Sequence, residues 1–465
     1  MTELHFESRM SDSDALMWNI EKDPLLRSTI TAVTMLDRAP DHDALTARIE
    51  RGSRLVPRMR QRVIGNVLSL APPRWEYDLH FDLRCHLRWV NAGGDGTIRT
   101  VLDIAEPIAM QGFDRARPLW EFVVVEGLED GRAAMIQKLH HAITDGVGGM
   151  QIAMLLLDLE REPAGDGEPM PPVPDGHVLS PTERTLDAVT HLARRNLGIA
   201  RRARATVGGA AAGILTRPWA TVRGVGDTAA SMARMLAPAT EPLSPVMTDR
   251  SLSVSFTPLS LPVDRMKAAA KQADGRLNDA FVAGVAGGLA RYHEIHGAVP
   301  PALRMNMPIN VRTDDTQNDA GNQFAPARFP VPIDIDDPLE RMRTIRDLVV
   351  SQRAEPSLSM IEPMAGMLNR MPTTLTTAIF GSMLKGVDFT TSNVPGAPIP
   401  VFIAGAEITE MFAFGPLAGA AVNVTLLSHC DHAHLGINSD LAAVPDPAVL
   451  HDCLRQSFDD VLQIA

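Results

Sequence analysis

The chain has 465 residues, roughly twice the length at which single cores split, so two domains are expected. Apolar residues make up 45% and charged residues 22%, a globular composition that excludes general disorder. A formal net charge of −12 and only two tyrosines exclude nucleic acid as the main partner, because that role needs basic surface and stacking aromatics.

Asp12 to Trp18 reads as a short helix, Ser28 to Leu36 (STITAVTML) as a strand and Asp43 to Arg54 as a helix. Pro118 to Val125 and Ala133 to Leu139 are apolar runs joined by a glycine-bearing loop, the pattern of a hairpin. Met150 to Leu159 reads as a helix closing this half. Residues 161–180 concentrate proline and glycine and read as a linker. Residues 182–237 read helical, and residues 181–250 hold ten arginines against five acidic residues.

Mixed α/β character then returns. Leu252 to Phe256, Leu303 to Val311, Val401 to Ala404, Ala421 to Leu427 and Ala433 to Asn438 read as strands. Asn278 to His293, Pro338 to Ser351 and Asp446 to Leu462 read as helices. The division is 1–160, a linker at 161–250, and 251–465. Met411 to Cys430 carries no Asp, Glu, Lys or Arg, but its glycines, proline and β-branched alternation favour a loop entering a buried strand over a membrane span. The N-terminus is acidic and polar, unlike a signal peptide. Cys85, Cys430 and Cys453 form no C-x-x-C, so a reducing cytoplasm is the expected compartment.

Residues 138–146, KLHHAITDG, carry the strongest chemical signal. An imidazole at a strand-to-helix junction titrates near neutrality and has the chemistry of a general base. A carboxylate four residues on, Asp145, suits an arginine partner, and Gly146 removes a Cβ where the chain turns. The plainer alternative is two satisfied core histidines beside an N-cap aspartate. His429, His432 and His434 lack zinc spacing, and no metal site is expected. The basic segment 194–204 (RRNLGIARRAR) reads either as contact with an anionic lipid surface or inclusion, or as a solvated connector.

HHAITDG matches the HHxxxDG motif of the coenzyme A-dependent acyltransferase superfamily. RPLWEF at 117–122, LNDA at 277–280, MPINVR at 307–312 with GNQ at 321–323, and TSNVPGA at 391–397 resemble landmarks of its bacterial wax ester synthase/diacylglycerol acyltransferase branch, in order. The resemblance implies two chloramphenicol acetyltransferase-like α/β subdomains with a cleft between them, joined by a helical linker. It implies that His141 is the base, with His140 and Asp145 as structural supports and Gly146 in the motif's turn. It further implies Asn278 near the reaction centre, Asp279 supporting its helix start, Trp120 packing behind the site, and Asn393 shaping the acyl-CoA tunnel. For Asn278 and Asp279, plain helix capping is the alternative.

The implied reaction moves a long-chain acyl group from acyl-CoA to diacylglycerol or a fatty alcohol, with no bound cofactor and no acyl-enzyme. No G-x-S-x-G occurs to supply a serine nucleophile. Two alternatives stay open: a condensation-type enzyme using a carrier-protein thioester, and a lipid-associated homologue without turnover.

Overall fold

A computed structural model describes residues 6–65, 71–144, 149, 152–162, 169–197, 241–310, 324–355, 365–366, 368–369, 371 and 373–465. Asp145, Gly146, the GNQ turn and residues 198–204 of the basic segment lie outside the described residues.

The first half opens with α1 (Asp12–Ile20), whose N-cap Ser11 accepts the Asp14 N–H. It continues through β1 (Thr29–Leu36), α2 (His42–Leu55), β2 (Gln61–Ile64), β3 (Arg74–Tyr77), β4 (Leu87–Asn91), α3 (Ile98–Met110), β5 (Trp120–Glu126) and β6 (Ala133–His140). Residues 181–197 form α4. The second half runs β7 (Val254–Pro262), α5 (Val263–Gln272), α6 (Leu277–Ile295), β8 (Ala302–Asn310), β9 (Phe324–Pro332), α7 (Pro338–Arg353), α8 (Thr373–Lys385), β10 (Phe389–Pro395), β11 (Phe402–Ile403), β12 (Ala406–Phe414), β13 (Val422–His429), β14 (His432–Asp440) and α9 (Pro447–Leu462).

Two mixed six-stranded sheets organise these elements, in the orders β11-β12-β1-β6-β5-β4 and β7-β14-β13-β10-β8-β9. The β5–β6 hairpin forms as its apolar runs require, with Gly127 and Gly131 at positive φ in the loop. One pairing is absent from the sequence reading. Strands β11 and β12, from the second half, complete the first sheet, with β12 antiparallel to β1 from Thr31↔Phe414 to Leu36↔Ile408.

The helix expected over Met150–Leu159 is shorter. Among its described residues only 152–154 are helical. Asp158 instead exchanges backbone hydrogen bonds of 2.8 and 2.9 Å with Phe402 on β11, and an extended bridge is incompatible with a helical turn. The stretch Met411 to Cys430 is the end of β12, a loop and then the buried strand β13, as the loop entering a strand was expected to be. Among the described residues no helix is long and apolar enough to cross a membrane.

The two halves are cross-bonded. Glu106 on α3 accepts the Phe256 N–H at 2.8 Å, Arg99 donates to the Phe256 carbonyl at 3.0 Å, and Phe256 stacks on Phe414 at 4.1 Å. The sheets approach closely where Gly436 of β14 faces Ala413 of β12. A Cβ there would stand 2.1 Å from the Ala413 carbonyl oxygen, which the β1–β12 ladder holds in place.

Alanine normally stabilises a strand relative to glycine by about 0.5–1 kcal/mol. Gly436→Ala is expected to reverse that sign and cost about 1–3 kcal/mol through overpacking. Urea unfolding of the two proteins checks this, and an equal or higher midpoint for Gly436→Ala contradicts the close approach.

Candidate active site

The HHxxxDG segment begins where β6 ends. Thr29 of β1 stands opposite His140, and Thr31 stands opposite Lys138, so these four residues share one face of the sheet. Trp120 stands opposite Leu139 and therefore belongs to the other face. There it is fully buried, donates Nε1–H to the Met59 carbonyl at 2.8 Å, and stacks on His86 at 4.6 Å. The Leu119 carbonyl, in the same RPLWEF segment, accepts the His140 N–H at 3.0 Å. Trp120 thus packs behind the histidine strand.

His140 is 2% exposed. Nδ1 accepts the Ala142 N–H at 3.0 Å, so the proton of the neutral ring sits on Nε2, 2.9 Å from Glu21 Oε1. Trp18 and Phe113 present their rings edge-on at 5.4 and 6.0 Å. His141 differs. It begins the turn, is half-buried, and is anchored through its backbone N–H to the Ser28 carbonyl at 2.8 Å. The Ile143 N–H donates to the His140 carbonyl at 2.9 Å and closes the turn.

Glu21 links these anchors. Its Oε1 faces His140 Nε2 and also accepts the Ser28 N–H at 2.6 Å, while Ser28 holds His141 from its other side. Arg115 lies 3.7 Å from Oε2 and stacks over Trp18. Burial alone would raise the Glu21 carboxyl. The contacts from His140, the Ser28 N–H and Arg115 outweigh burial and hold it below its ordinary 4.5. Lys138, also fully buried, sits over the Phe113 ring at 4.4 Å and 3.8 Å from Glu121, and burial lowers its pKa. Sequence reasoning missed Glu21: a single glutamate just past a helix carries no motif, and the link to His140 spans more than a hundred residues.

The other expected residues are more dispersed. Asp279 starts α6, accepting the Arg276 N–H at 2.7 Å, which is its capping role; burial raises its pKa against that bond. Asn278 is half-buried, and its Nδ2 donates to Met307 Sδ at 3.9 Å. Asn393 is exposed on β10, level with Leu426 of β13.

The C-terminal histidines are individually spent. His429 has Nδ1 and Nε2 each 3.1 Å from a carbonyl, of Ala397 and Ile408. His434 meets Ser260 Oγ at 2.8 Å; burial, then His429 and His432, push its pKa down to about 4. His432 stacks on His434 at 5.8 Å, two residues along the same face of β14. Among the described residues no three His, Cys, Asp or Glu side chains gather for a metal ion.

With this geometry in view, the chain was compared with known proteins. Residues 10–281 match the wax ester synthase/diacylglycerol acyltransferase catalytic domain, and residues 320–461 match the WS/DGAT C-terminal domain. The chain belongs to the wax ester synthase/diacylglycerol acyltransferase family.

It is an acyltransferase. A putative diacylglycerol O-acyltransferase of Mycobacterium tuberculosis H37Rv is 37% identical over 469 residues, covering 100% of this chain and 94% of that protein. The solved wax ester synthase/diacylglycerol acyltransferase from Marinobacter aquaeolei VT8 superposes with a TM-score of 0.62 at 22% identity, covering 97% and 98% of the two chains. The first condensation domain of the calcium-dependent antibiotic synthetase, with a substrate analogue, superposes at 0.64 and 14% identity over 99% and 97%. The fold is therefore the two-part chloramphenicol acetyltransferase-like α/β architecture of wax ester synthases and condensation domains.

Glu21→Gln keeps the shape but removes the charge facing His140, at an expected cost of about 1.5–3 kcal/mol near neutral pH. Because the folded carboxyl is depressed, its contribution is full above the unfolded value of 4.5 and is lost as pH falls through the folded value. Denaturant unfolding of wild type and variant from pH 7 to pH 3 should show the gap closing on acidification. A gap independent of pH removes the ionic role.

Proposed function

We propose that this protein transfers a long-chain acyl group from acyl-CoA to an alcohol, diacylglycerol or a fatty alcohol, with His141 as general base. The observation that carries the reading is the contrast between the two histidines. His140 is buried at the strand end with Nδ1 on the Ala142 N–H and Nε2 beside Glu21, whereas His141 begins the turn and is half-buried.

An alcohol is a weak nucleophile while protonated. A neutral His141 ring nitrogen takes the hydroxyl proton as oxygen attacks the thioester carbonyl, a contribution of about 10²–10⁴ in rate. The carbon–oxygen bond forms, the tetrahedral oxyanion collapses, and the carbon–sulfur bond breaks. The departing coenzyme A thiolate takes the proton back from the imidazolium. A single oxyanion donor supplies about 2.7–4 kcal/mol, and Asn278 or a backbone N–H is the candidate. Asp145 and Gly146 shape the turn by family resemblance, and Asn393 borders the acyl-donor path.

Peripheral contact with a lipid surface is the second part of the proposal. Helix α4 turns its ionic side inward. Arg184 pairs with Glu76 at 2.8 Å, Asp187 with Arg74 at 2.6 Å and also with Arg9, and Arg195 with Asp12 at 2.6 Å. Its outward side carries exposed Leu186, Val189 and Leu197, spaced along one helical stripe. Apolar residues facing water, with the exposed Arg194 and the basic segment 194–204 beside them, suit an anionic lipid surface. Arg195, spent on Asp12, is subtracted from that basic count.

Purified protein supplied with palmitoyl-CoA and either diacylglycerol or hexadecanol should release thiol and form ester, and His141→Ala should lower the rate at least a hundredfold. No turnover with any acyl-CoA, or a His141→Ala variant as active as wild type, sinks the mechanism. Flotation with vesicles of phosphatidylcholine and phosphatidylglycerol tests the second part. Replacing Leu186, Val189 and Leu197 by Glu should cut the bound fraction severalfold; equal flotation rules α4 out.

A further inference from the structure

His429, the last residue of β13, is 3% exposed and bridges two other parts of the chain. Its Nδ1 and its Nε2 each stand 3.1 Å from a carbonyl oxygen, of Ala397 and of Ile408. Ala397 ends the TSNVPGA stretch that begins in β10, and Ile408 belongs to β12 in the other sheet.

A carbonyl oxygen only accepts, so each ring nitrogen has to donate. A neutral imidazole carries one N–H and satisfies one of the two carbonyls. The imidazolium carries an N–H at both positions and satisfies both. Two other buried histidines make the contrast. His140 accepts at Nδ1 from the Ala142 N–H. His293 gives Nδ1–H to the Leu289 carbonyl at 2.7 Å, and its Nε2 meets the Ser244 hydroxyl, itself able to donate, at 2.7 Å. Both arrangements fit a neutral ring.

The partners of His429 are themselves fixed. The Ala397 carbonyl also accepts the Cys430 N–H at 3.0 Å. A Cβ on Gly396 would stand 2.1 Å from the Ser428 carbonyl oxygen, so this stretch lies directly on the end of β13. Ile408 sits where the β1–β12 ladder slips: Met35 pairs with Glu410 and Leu36 with Ile408, which leaves Thr409 bulged. The ring therefore joins a bulge in the first sheet to the end of the TSNVPGA stretch.

The surrounding charges come from three sides. At the hairpin tip, Cys430 Sγ is 3.6 Å from Nε2, and Asp431 pairs with the exposed His432 at 2.7 Å. On β14, His434 is pushed down to about 4 by burial and then by His429 and His432, so it adds no second positive charge. On β12, Glu407 acts on Cys430 and is committed to Arg161 at 3.0 Å. Residues 396–403 carry no ionisable side chain.

We propose that His429 is a doubly protonated staple between the sheets, and that giving one N–H proton to solvent releases one of its two carbonyls and loosens the TSNVPGA stretch. Its consequence for catalysis rests on the acyl-transfer reading, which puts Asn393 of that stretch beside the acyl-donor path. The donor side is then firm at neutral pH and slackens as the pH rises.

Protein labelled with 15N in its histidines gives the direct test. At pH 7 both ring nitrogens of His429 should carry a directly bonded proton, with His429→Gln, or nuclear Overhauser contacts to Ala397, assigning the signals. One bare nitrogen overturns the staple. His429→Gln keeps one donor group and no charge, so it copies the neutral ring. Its KM for palmitoyl-CoA at pH 7 should exceed the wild-type value about fivefold and stay level to pH 9, while the wild-type KM climbs towards it. The urea midpoints of the two proteins should draw together over the same range, because wild type loses on deprotonation the bond that the variant lacks. That direction is opposite to the one expected for Glu21→Gln, and a gap independent of pH overturns the proposal. A KM unchanged by His429→Gln, with turnover intact, overturns the hold on the donor side. Two protonated nitrogens and converging midpoints, with no turnover in wild type, would keep the staple and overturn acyl transfer.

Discussion

The pairing of β12 with β1 is the constraint on which the molecule depends. Thr31 to Leu36 bond to β12 on one side and to β6 on the other. A strand from the second half is therefore built into the sheet that ends in the histidine turn. Because β12 also presses Ala413 against Gly436 of the other sheet, the cleft walls have a fixed spacing. A backbone carbonyl held in a ladder has no rotamer to relax into. The groups at the cleft thus sit on rigid elements, the condition for holding reacting atoms within fractions of an ångström.

Electrostatics complete what the ladder begins. Glu21 is almost wholly buried, and a lone buried carboxylate would neutralise itself. It stays charged because one oxygen meets His140 and the Ser28 N–H while Arg115 approaches the other. The arrangement fixes the His140 tautomer and ties the start of β1 to the end of β6. The same glutamate therefore secures His140 and Ser28, the two residues that flank His141 on the backbone.

Much of the fold was legible where period and burial coincide. Strands β1, β5, β6, β13 and β14 have near-continuous apolar faces, and α6, α7 and α9 show their starts through Asp279, Asp337 and Asp446. Strand β9 was not legible. Pro326, Pro330 and Pro332 read as a breaker, but β9 lies at a sheet edge, where a missing N–H removes no ladder bond. Strand β10 (FTTSNVP) is polar, and its Ser392–Pro395 end has the composition of a turn. Strand β12 carries Glu407 and Glu410, and no local pattern announces that its partner lies in the other half. In the site, the motif exposed His140 and His141, but Glu21 joins it only through contacts distant in sequence.

Adjacent histidines with identical side chains are separated by the place where the strand stops. His140 is the last residue of β6, so alternation still governs it and drives its ring into the face shared with Thr29 and Lys138. His141 is the first residue released from the ladder. Its N–H still bonds Ser28, but its side chain no longer follows the sheet's two-residue period. One imidazole is thereby buried in the sheet face, and the other begins the turn at a half-buried position. Shifting the register of β6 by one residue would exchange their environments, placing His141 against Trp18 and Phe113. The length of β6, set by its ladder with β1, is therefore a chemical specification as much as a structural one.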